Sequence, residues 1–220
     1  MILYLIRHGQ STNNAAPIEQ RVADAPLTEL GFKQVARVAE WAASADLNRL
    51  ITSPFLRTLQ TTEPIRRATG LQPLVRTDLH EQGGCISGQD EASYRGERGM
   101  TRDQILADFP GYDVPAEVDG SGWWKGRSYE PPERARARAK RVAQWTHQSF
   151  ANTDETVAFV IHGTFKAMLI TALLNQLHTD ERWLGDIFNT AVTRIAITSD
   201  QTRLDYYNSV SHLSVPMITG

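Results

Sequence analysis

The sequence predicts an α/β fold: a three-layer sandwich whose mostly parallel central sheet is flanked by helices, with an inserted cap region. Three observations predict it. Strand-like and helix-like segments alternate through most of the chain. Ile2–Ile6 and Thr156–Ile161 are continuous apolar runs, the pattern of strands buried on both faces of a parallel sheet. Between Gly83 and Pro132 the alternation gives way to a glycine- and proline-rich stretch. With 220 residues, the chain is read as a single domain, 1–220, that carries an insertion at 83–132.

The first strand, Ile2–Ile6, meets Arg7 at once, so its apolar run falls short of the roughly 7–15 residues of a signal-peptide core. Thr28 is placed to cap a helix on which Phe32, Val35, Val38, Ala39 and Ala42 recur at helical spacing on one face. Leu50–Thr52 reads as a strand and Pro54 to Ala68 as a helix. Leu74–Val75 is a short strand ending near Asp78, expected with Thr156–Ile161 to line the sheet centre. The 83–132 insertion holds a short helical stretch near Met100–Phe109 and is placed to cover a site made by the loops around it. The run Glu133–Arg141 alternates Arg134, Arg136 and Arg138 with alanines, which predicts a solvated helix with Ala135, Ala139 and Val142 on its inner face. Thr193–Thr198 and Leu204–Tyr207, joined around Ser199-Asp200-Gln201, predict an antiparallel hairpin at one sheet edge. A sheet edge is the surface through which a homodimer would form.

The composition, 41% hydrophobic and 22% charged, allows a proper core and excludes disorder and a pure coiled coil. A formal net charge of -2 provides no global field for nucleic acid or anionic lipid, so any anion site must be local. Cys85 is the lone cysteine and cannot form an internal disulfide, and no Asn-x-Ser/Thr acceptor occurs; both fit a reducing cytoplasm. The apolar stretch Ala167–Leu174 is far below the ~18 residues of a membrane span, so a soluble protein is expected.

The chemistry concentrates where the first strand ends. Leu5-Ile6-Arg7-His8-Gly9-Gln10-Ser11 releases an arginine fork, an imidazole and a glycine at the carboxyl end of a strand, where open α/β sheets bind ligands. The combination suits a phosphate better than a metal or a carbonyl, because a guanidinium pairs with oxyanions and glycine lets backbone approach them. His80-Glu81 has Gly84 where a helical zinc motif needs its second ligand, and no metal is implied. Gly120–Gly126 lacks the Gly-Lys-Ser/Thr ending of a P-loop. No cofactor is expected. His80, His147 and His178 have no partner at a meaningful spacing, and His212 is read as a support for the sheet edge.

These residues resemble the histidine phosphatase superfamily, the phosphoglycerate-mutase-like enzymes. Arg7-His8-Gly9-Gln10-Ser11 with Asn14 matches its first signature. Pro26-Leu27-Thr28-Glu29-Leu30-Gly31 with Gln34 is similar to its Leu-Thr-x-x-Gly-x-x-Gln helix start, and Ser53-Pro54-Phe55-Leu56-Arg57-Thr58-Leu59-Gln60-Thr61 to its Ser-Pro-x-x-Arg segment. His162-Gly163-Thr164 is similar to its second histidine motif, and Asn208-x-x-x-His212-Leu213 to its ending. The resemblance spans almost the whole chain. It implies His8 as the nucleophile, with Arg7 and Arg57 on the phosphate oxygens and His162 as a third cationic donor. Asn14 and the Gly163 N–H would supply neutral hydrogen bonds. Glu81, after the Leu74–Asp78 segment, falls where the resemblance puts the acid/base residue. Its continuation, Gln82-Gly83-Gly84-Cys85-Ile86-Ser87-Gly88, departs from the aromatic, glycine-spaced run of many relatives.

Trp124-Lys125-Gly126-Arg127-Ser128-Tyr129-Glu130-Pro131-Pro132 is similar to a substrate-contacting region of cofactor-dependent phosphoglycerate mutases, with glycine in place of one arginine. The mutases' Glu-Arg-His-Tyr-Gly run is missing here. The expectation is therefore a metal-independent phosphomonoester hydrolase acting on a small phosphorylated metabolite through a phosphohistidine. The alternatives are a phosphoglycerate mutase and a catalytically inactive phospho-ligand binding protein. Trp123, Trp124, Arg127 and Tyr129 are candidates either for lid contacts or for packing the cap onto the core.

Overall fold

The computed structural model describes residues 1–90, 92–175 and 184–220; His178 lies outside them. Six strands, β1 (Ile2–Arg7), β2 (Arg49–Thr52), β3 (Pro73–Val75), β6 (Thr156–Ile161), β7 (Val192–Ile197) and β8 (Thr202–Ser209), form one sheet in the order β3-β2-β6-β1-β7-β8. Two further short strands, β4 (Ile86–Ser87) and β5 (Arg95–Gly96), pair with each other away from it. The first four members of the large sheet are parallel, and β7 and β8 close it antiparallel.

The period of two in a strand explains the layers. On β1, Leu3 and Leu5 face one side with Val157, Phe159 and Ile161 of β6. Ile6 faces the other with Ala158 and Val160. The first face is covered by α5 (Pro132–Phe150) and α6 (Gly163–Leu173), the second by α2 (Glu29–Ala42) and α3 (Leu56–Thr69). Both faces of the central strands are therefore dry, which is why their sequences are apolar throughout. A four-residue helix α1 (Thr12–Ala15) and α4 (Arg102–Asp108) complete the helices used below. The residues between Gly83 and Pro131 pack around Phe55 and Leu59 of the α3 end through Cys85, Ile105, Phe109, Trp123 and Trp124.

Three expectations are corrected. β3 is an edge strand, not a central one: its outer side pairs only with Asp113, whose N–H donates to Pro73 O and whose carbonyl accepts from Val75 N (both 2.8 Å), in a single bridge that does not extend into a further strand. Phe32 is 49% exposed while Gly31 and Gln34 take the buried positions beside Val35 and Val38; the inner face of α2 is rotated toward the loop after β1. Arg138 is not a solvated charge: it is 4% exposed and paired with Glu130. No helix among the described residues is long and apolar enough to cross a membrane.

Candidate active site

The carboxyl ends of β1, β2 and β6 deliver His8, Ser53 and His162 to one place, and the first turn of α3 delivers Arg57. The backbone of His8 is pinned on both sides: its N–H donates to Ile161 O (3.0 Å), and its carbonyl accepts from Thr190 N (3.2 Å) and Asn189 Nδ2 (3.1 Å). Asn189 is held in turn by the end of the chain, since its N–H donates to Thr219 O (2.8 Å) and its Oδ1 accepts from Thr219 Oγ1 (3.1 Å).

The loop after His8 runs against the start of α2 at van der Waals contact. A Cβ on Gly9 would stand 2.8 Å from Val35 Cγ2, and one on Gly31 would stand 2.1 Å from Gln10 O. Both glycines are required by this approach. Thr28 caps α2, its side chain accepting from Gly31 N, and Gln34 Oε1 accepts from Gln10 N at 2.8 Å. The amide of Gln34 also donates to Met217 O (2.7 Å) and Thr219 Oγ1 (2.9 Å). From α3, Thr61 Oγ1 accepts the Gly9 N–H (3.0 Å) and Gln60 Oε1 the Leu27 N–H (2.8 Å). The polar residues of the motifs are thus chiefly a scaffold that satisfies the backbone of the loop bearing His8.

The tautomer of His8 follows from its neighbours. Nδ1 lies 2.7 Å from Gly9 O, which can only accept, so Nδ1 carries the hydrogen. Nε2 is left with its lone pair, and Arg57 Nε donates to it at 3.2 Å. Burial first, then Arg57 and Arg7, hold His8 well below the usual imidazole range. The ring is neutral, and its Nε2 lone pair accepts from a guanidinium that lies over the Phe55 ring at 4.1 Å.

His162 is fully buried, 5.3 Å from His8 between ring centroids, with Nε2 2.7 Å from Ser53 Oγ. Burial, then Arg57, pushes it also well below the imidazole range. Burial and the nearby arginines thus favour the neutral ring in the free site, and the role of His162 as a cationic donor applies to a site that holds an anion. Its Nδ1 and Arg7 Nε are both buried and have no hydrogen-bond partner among the described residues. Arg7 Nη1 donates to Ile187 O, and Gly163 sits so close that a Cβ there would lie 3.4 Å from Arg7 Nε. A buried unpaired donor is costly. Arg7 Nε is therefore a donor left for an oxyanion, and His162 Nδ1 joins it when Ser53 Oγ donates to Nε2.

Glu81 faces the same place from the opposite wall. Its Oε1 accepts from Gln82 N (2.9 Å) and Phe165 N (2.8 Å), and its Oε2 from Thr164 N (3.2 Å). It occupies two of the amides at the N-terminus of α6, whose first residue is Gly163, a natural seat for negative charge. Glu81 and Arg57 both line a cavity of about 240 Å³ with Asn13, Arg21, Tyr94 and Tyr129. Asn14 is one step removed: its Oδ1 accepts from Ser11 N (3.0 Å) and Ser11 Oγ (2.9 Å) as the capping partner of α1, and Asn189 Nδ2 approaches it at 3.4 Å. Trp123 and Trp124 are core residues, and Arg127 lies over the Trp124 ring at 4.2 Å. Tyr129 alone of that group lines the cavity, stacked on Tyr94 at 4.8 Å.

Sequence reasoning gave no role to Ser53, Thr61, Asn189, Asp24 or Lys166. Ser53 and Thr61 lie inside a quoted motif, so their spacing carried a signal. Asn189 has none, because its place is set by tertiary contacts. Asp24 Oδ1 accepts from Leu56 N at 2.8 Å, next to Arg57 in sequence, while its Oδ2 is buried without a partner; burial raises it to about 6 against the opposing pull of Arg57. Lys166 is fully buried, donates to Ala191 O at 2.8 Å and is held by burial well below its ordinary range. His212 Nε2 lies 3.0 Å from Thr190 Oγ1, which ties the chain after β8 to the residue that also bonds His8.

The family model for the histidine phosphatase superfamily, branch 1, matches residues 3–210. The chain is 34% identical over 114 residues to a probable phosphoglycerate mutase GpmB of Photorhabdus laumondii, a match covering 51% of this chain and 53% of that protein. The chain thus spans about half the length of such curated relatives. It is 26% identical to phosphoglycerate mutase-like protein 1 of Arabidopsis thaliana over 95% of this chain and 85% of that one. Among solved structures it is similar to a mycobacterial glucosyl-3-phosphoglycerate phosphatase complexed with VO3, with a TM-score of 0.67, 25% identity, and coverage of 94% and 99%.

Proposed function

The chain belongs to the histidine phosphatase superfamily, and on that premise we propose that it hydrolyses phosphomonoesters of a small phosphorylated metabolite without a metal ion. The observation that carries this reading is the imidazole of His8: Nδ1 is locked as donor to Gly9 O, and Nε2 keeps its lone pair as the acceptor of Arg57 Nε, a guanidinium that the phosphoryl oxygens draw away when substrate binds. Nε2 attacks phosphorus in line while Arg7, Arg57, the Gly163 N–H and His162 Nδ1 receive the equatorial oxygens. Asn14 stands behind them as a further neutral donor. The P–O bond to the alcohol breaks, and its oxygen takes a proton from Glu81. Oε2 is the better carrier of that proton, since it accepts one long amide contact where Oε1 accepts two shorter ones. In the second step water attacks the phosphohistidine, Glu81 takes the proton, and the N–P bond breaks, which restores both groups.

Residues 83–132 act in this reading as the cap that selects the alcohol, with Tyr129 and Tyr94 at its opening. A cytoplasmic location accords with the single buried thiol of Cys85. Hydrolysis is favoured over phosphate migration within phosphoglycerate because the chain lacks the Glu-Arg-His-Tyr-Gly run, although relatives carry the mutase name. A solved neighbour named a phosphatase and complexed with VO3 supports the same reading.

The test is phosphate release from p-nitrophenyl phosphate and a panel of metabolite phosphates in excess chelator, with His8→Ala alongside. Chelator-resistant release that vanishes in the variant supports the proposal. Release from no compound, with phosphate migration in phosphoglycerate instead, replaces it by the mutase; binding of phosphate esters without either reaction replaces it by the inactive binding protein.

A further inference from the structure

We infer that the buried Glu130–Arg138 ion pair is the positioning device for the Glu81 carboxyl group, an inference that rests on the acid role proposed above. Arg138 was expected on a solvated face of its helix. Instead its guanidinium is buried, with Nε donating to Glu130 Oε1 at 2.9 Å and Nη2 to Glu130 Oε2. Its Nη1 donates to Asp78 O (2.8 Å) and His80 O (2.9 Å). One side chain therefore holds two of the three carbonyls that precede Glu81 in the chain.

Glu130 holds the residues that follow it. The Glu130 N–H donates to Gly83 O at 3.0 Å, and Gln82 Nε2 donates to Glu130 O (3.0 Å) and Tyr129 Oη (2.7 Å). Both ends of the 83–130 segment are thus gathered at one ion pair. The third side of the frame is α6. Arg138 lies over the Phe165 ring at 4.1 Å from its centroid, and the Phe165 N–H is the 2.8 Å donor to Glu81 Oε1. His80 completes the frame, its Nδ1 2.8 Å from Glu81 O.

Stability alone does not call for this arrangement. Replacing a buried ion pair by apolar side chains of similar volume is often neutral or stabilising, so such a pair is better understood through what it orients. Arg138 does not line the cavity, and its hydrogen bonds go to Glu130, Asp78 and His80. Its role is to fix the backbone on both sides of Glu81, because a carboxyl displaced by about 1 Å from a leaving oxygen can lose a hundredfold in rate.

The experiment compares kcat/KM for p-nitrophenyl phosphate, whose phenolate departs without a proton, with that for glycerol phosphate, whose alkoxide requires one. Glu81→Gln sets the scale: the acid role demands a loss on glycerol phosphate of about a hundredfold or more, with far less on the aryl ester. Arg138→Met and Glu130→Gln are expected to reproduce that selective pattern, about tenfold or more on glycerol phosphate and within about threefold on the aryl ester. In the double variant Glu81→Gln/Arg138→Met the second change is expected to add almost nothing on glycerol phosphate. Equal losses on both substrates for Glu81→Gln overturn the acid role itself. A selective Glu81→Gln together with uniform losses for Arg138→Met and Glu130→Gln, or full additivity in the double variant, overturns this inference. Should Arg138→Met fail to fold, Glu130→Gln, which keeps shape and packing, decides the question by the same two substrates.

Discussion

Removing the Arg57 guanidinium is expected to reduce kcat/KM for p-nitrophenyl phosphate about a thousandfold. A hydrogen bond to a charged group contributes about 1.5–3 kcal/mol, so two N–H contacts from one fork supply about 4 kcal/mol to the transition state, roughly three factors of ten. The structure adds a pH signature. Arg57 is the largest charge effect holding His8 below the imidazole range, second only to burial. In Arg57→Ala the His8 ring therefore accepts a proton more readily. At pH 8 it stays neutral and the deficit reflects the lost oxygen contacts; at pH 5.5 protonation removes nucleophile as well, and the deficit widens. Arg57→Lys keeps a charge but loses the paired donors, and should fall between Arg57→Ala and the natural enzyme. Steady-state kinetics at both pH values, with thermal unfolding to check the fold, are sufficient. Arg57→Ala activity within tenfold of the natural enzyme at pH 8 would refute the assigned geometry.

Three further outcomes are expected. Asp24 is raised to about 6 in the folded state from the ordinary carboxylate value of about 3.9, so its protonation contributes stability below about pH 4 that is lost as pH rises through about 6; Asp24→Asn should therefore gain up to about 3 kcal/mol over the natural protein at pH 8 and nothing at pH 4, measured by urea unfolding, and equal stabilities at pH 8 would exclude the shift. Alanine ordinarily stabilises a helix by about 1 kcal/mol over glycine, but with its Cβ 2.1 Å from Gln10 O Gly31→Ala should lose about 2 kcal/mol or more; a gain in the same assay contradicts the close approach. Nitrogen NMR of the free protein should show His8 as the Nδ1–H tautomer, with neither His8 nor His162 titrating at or above pH 6.5, and an ordinary imidazole titration would contradict the electrostatics of the site.

Legibility was greatest where local pattern and tertiary role coincide. Ile2–Ile6 and Thr156–Ile161 are apolar because both faces are covered, and their neighbours His8 and His162 are delivered by strand ends, so the sequence exposes both the element and the chemistry. The place of β3 was not legible, since a three-residue strand has no periodicity that separates edge from centre. Phe32 shares the helical spacing of its neighbours, and only the packing of Gly31 on Gln10 shows that the inner face is rotated. Arg138 was misread because charge in a run suggests water, whereas its partner Glu130 and its carbonyl acceptors come from an irregular segment with no period. Asn189 and Asp24 lie far in sequence from the residues they hold, and no local pattern reports such pairs.

The dependence of His8 on the final residues has a kinetic meaning for synthesis. The central parallel pair joins Ile2 to Thr156, and Asn189, which holds the His8 carbonyl, is itself held by Thr219. Pairings this distant in sequence close late. A nascent chain emerging from the ribosome can form the α2–α3 unit early, yet Asn189, the donor to the His8 carbonyl, is itself held only after residue 219 has emerged. On the proposed function, gain of turnover during refolding therefore reports the docking of Thr219 against Asn189, not the collapse that precedes it.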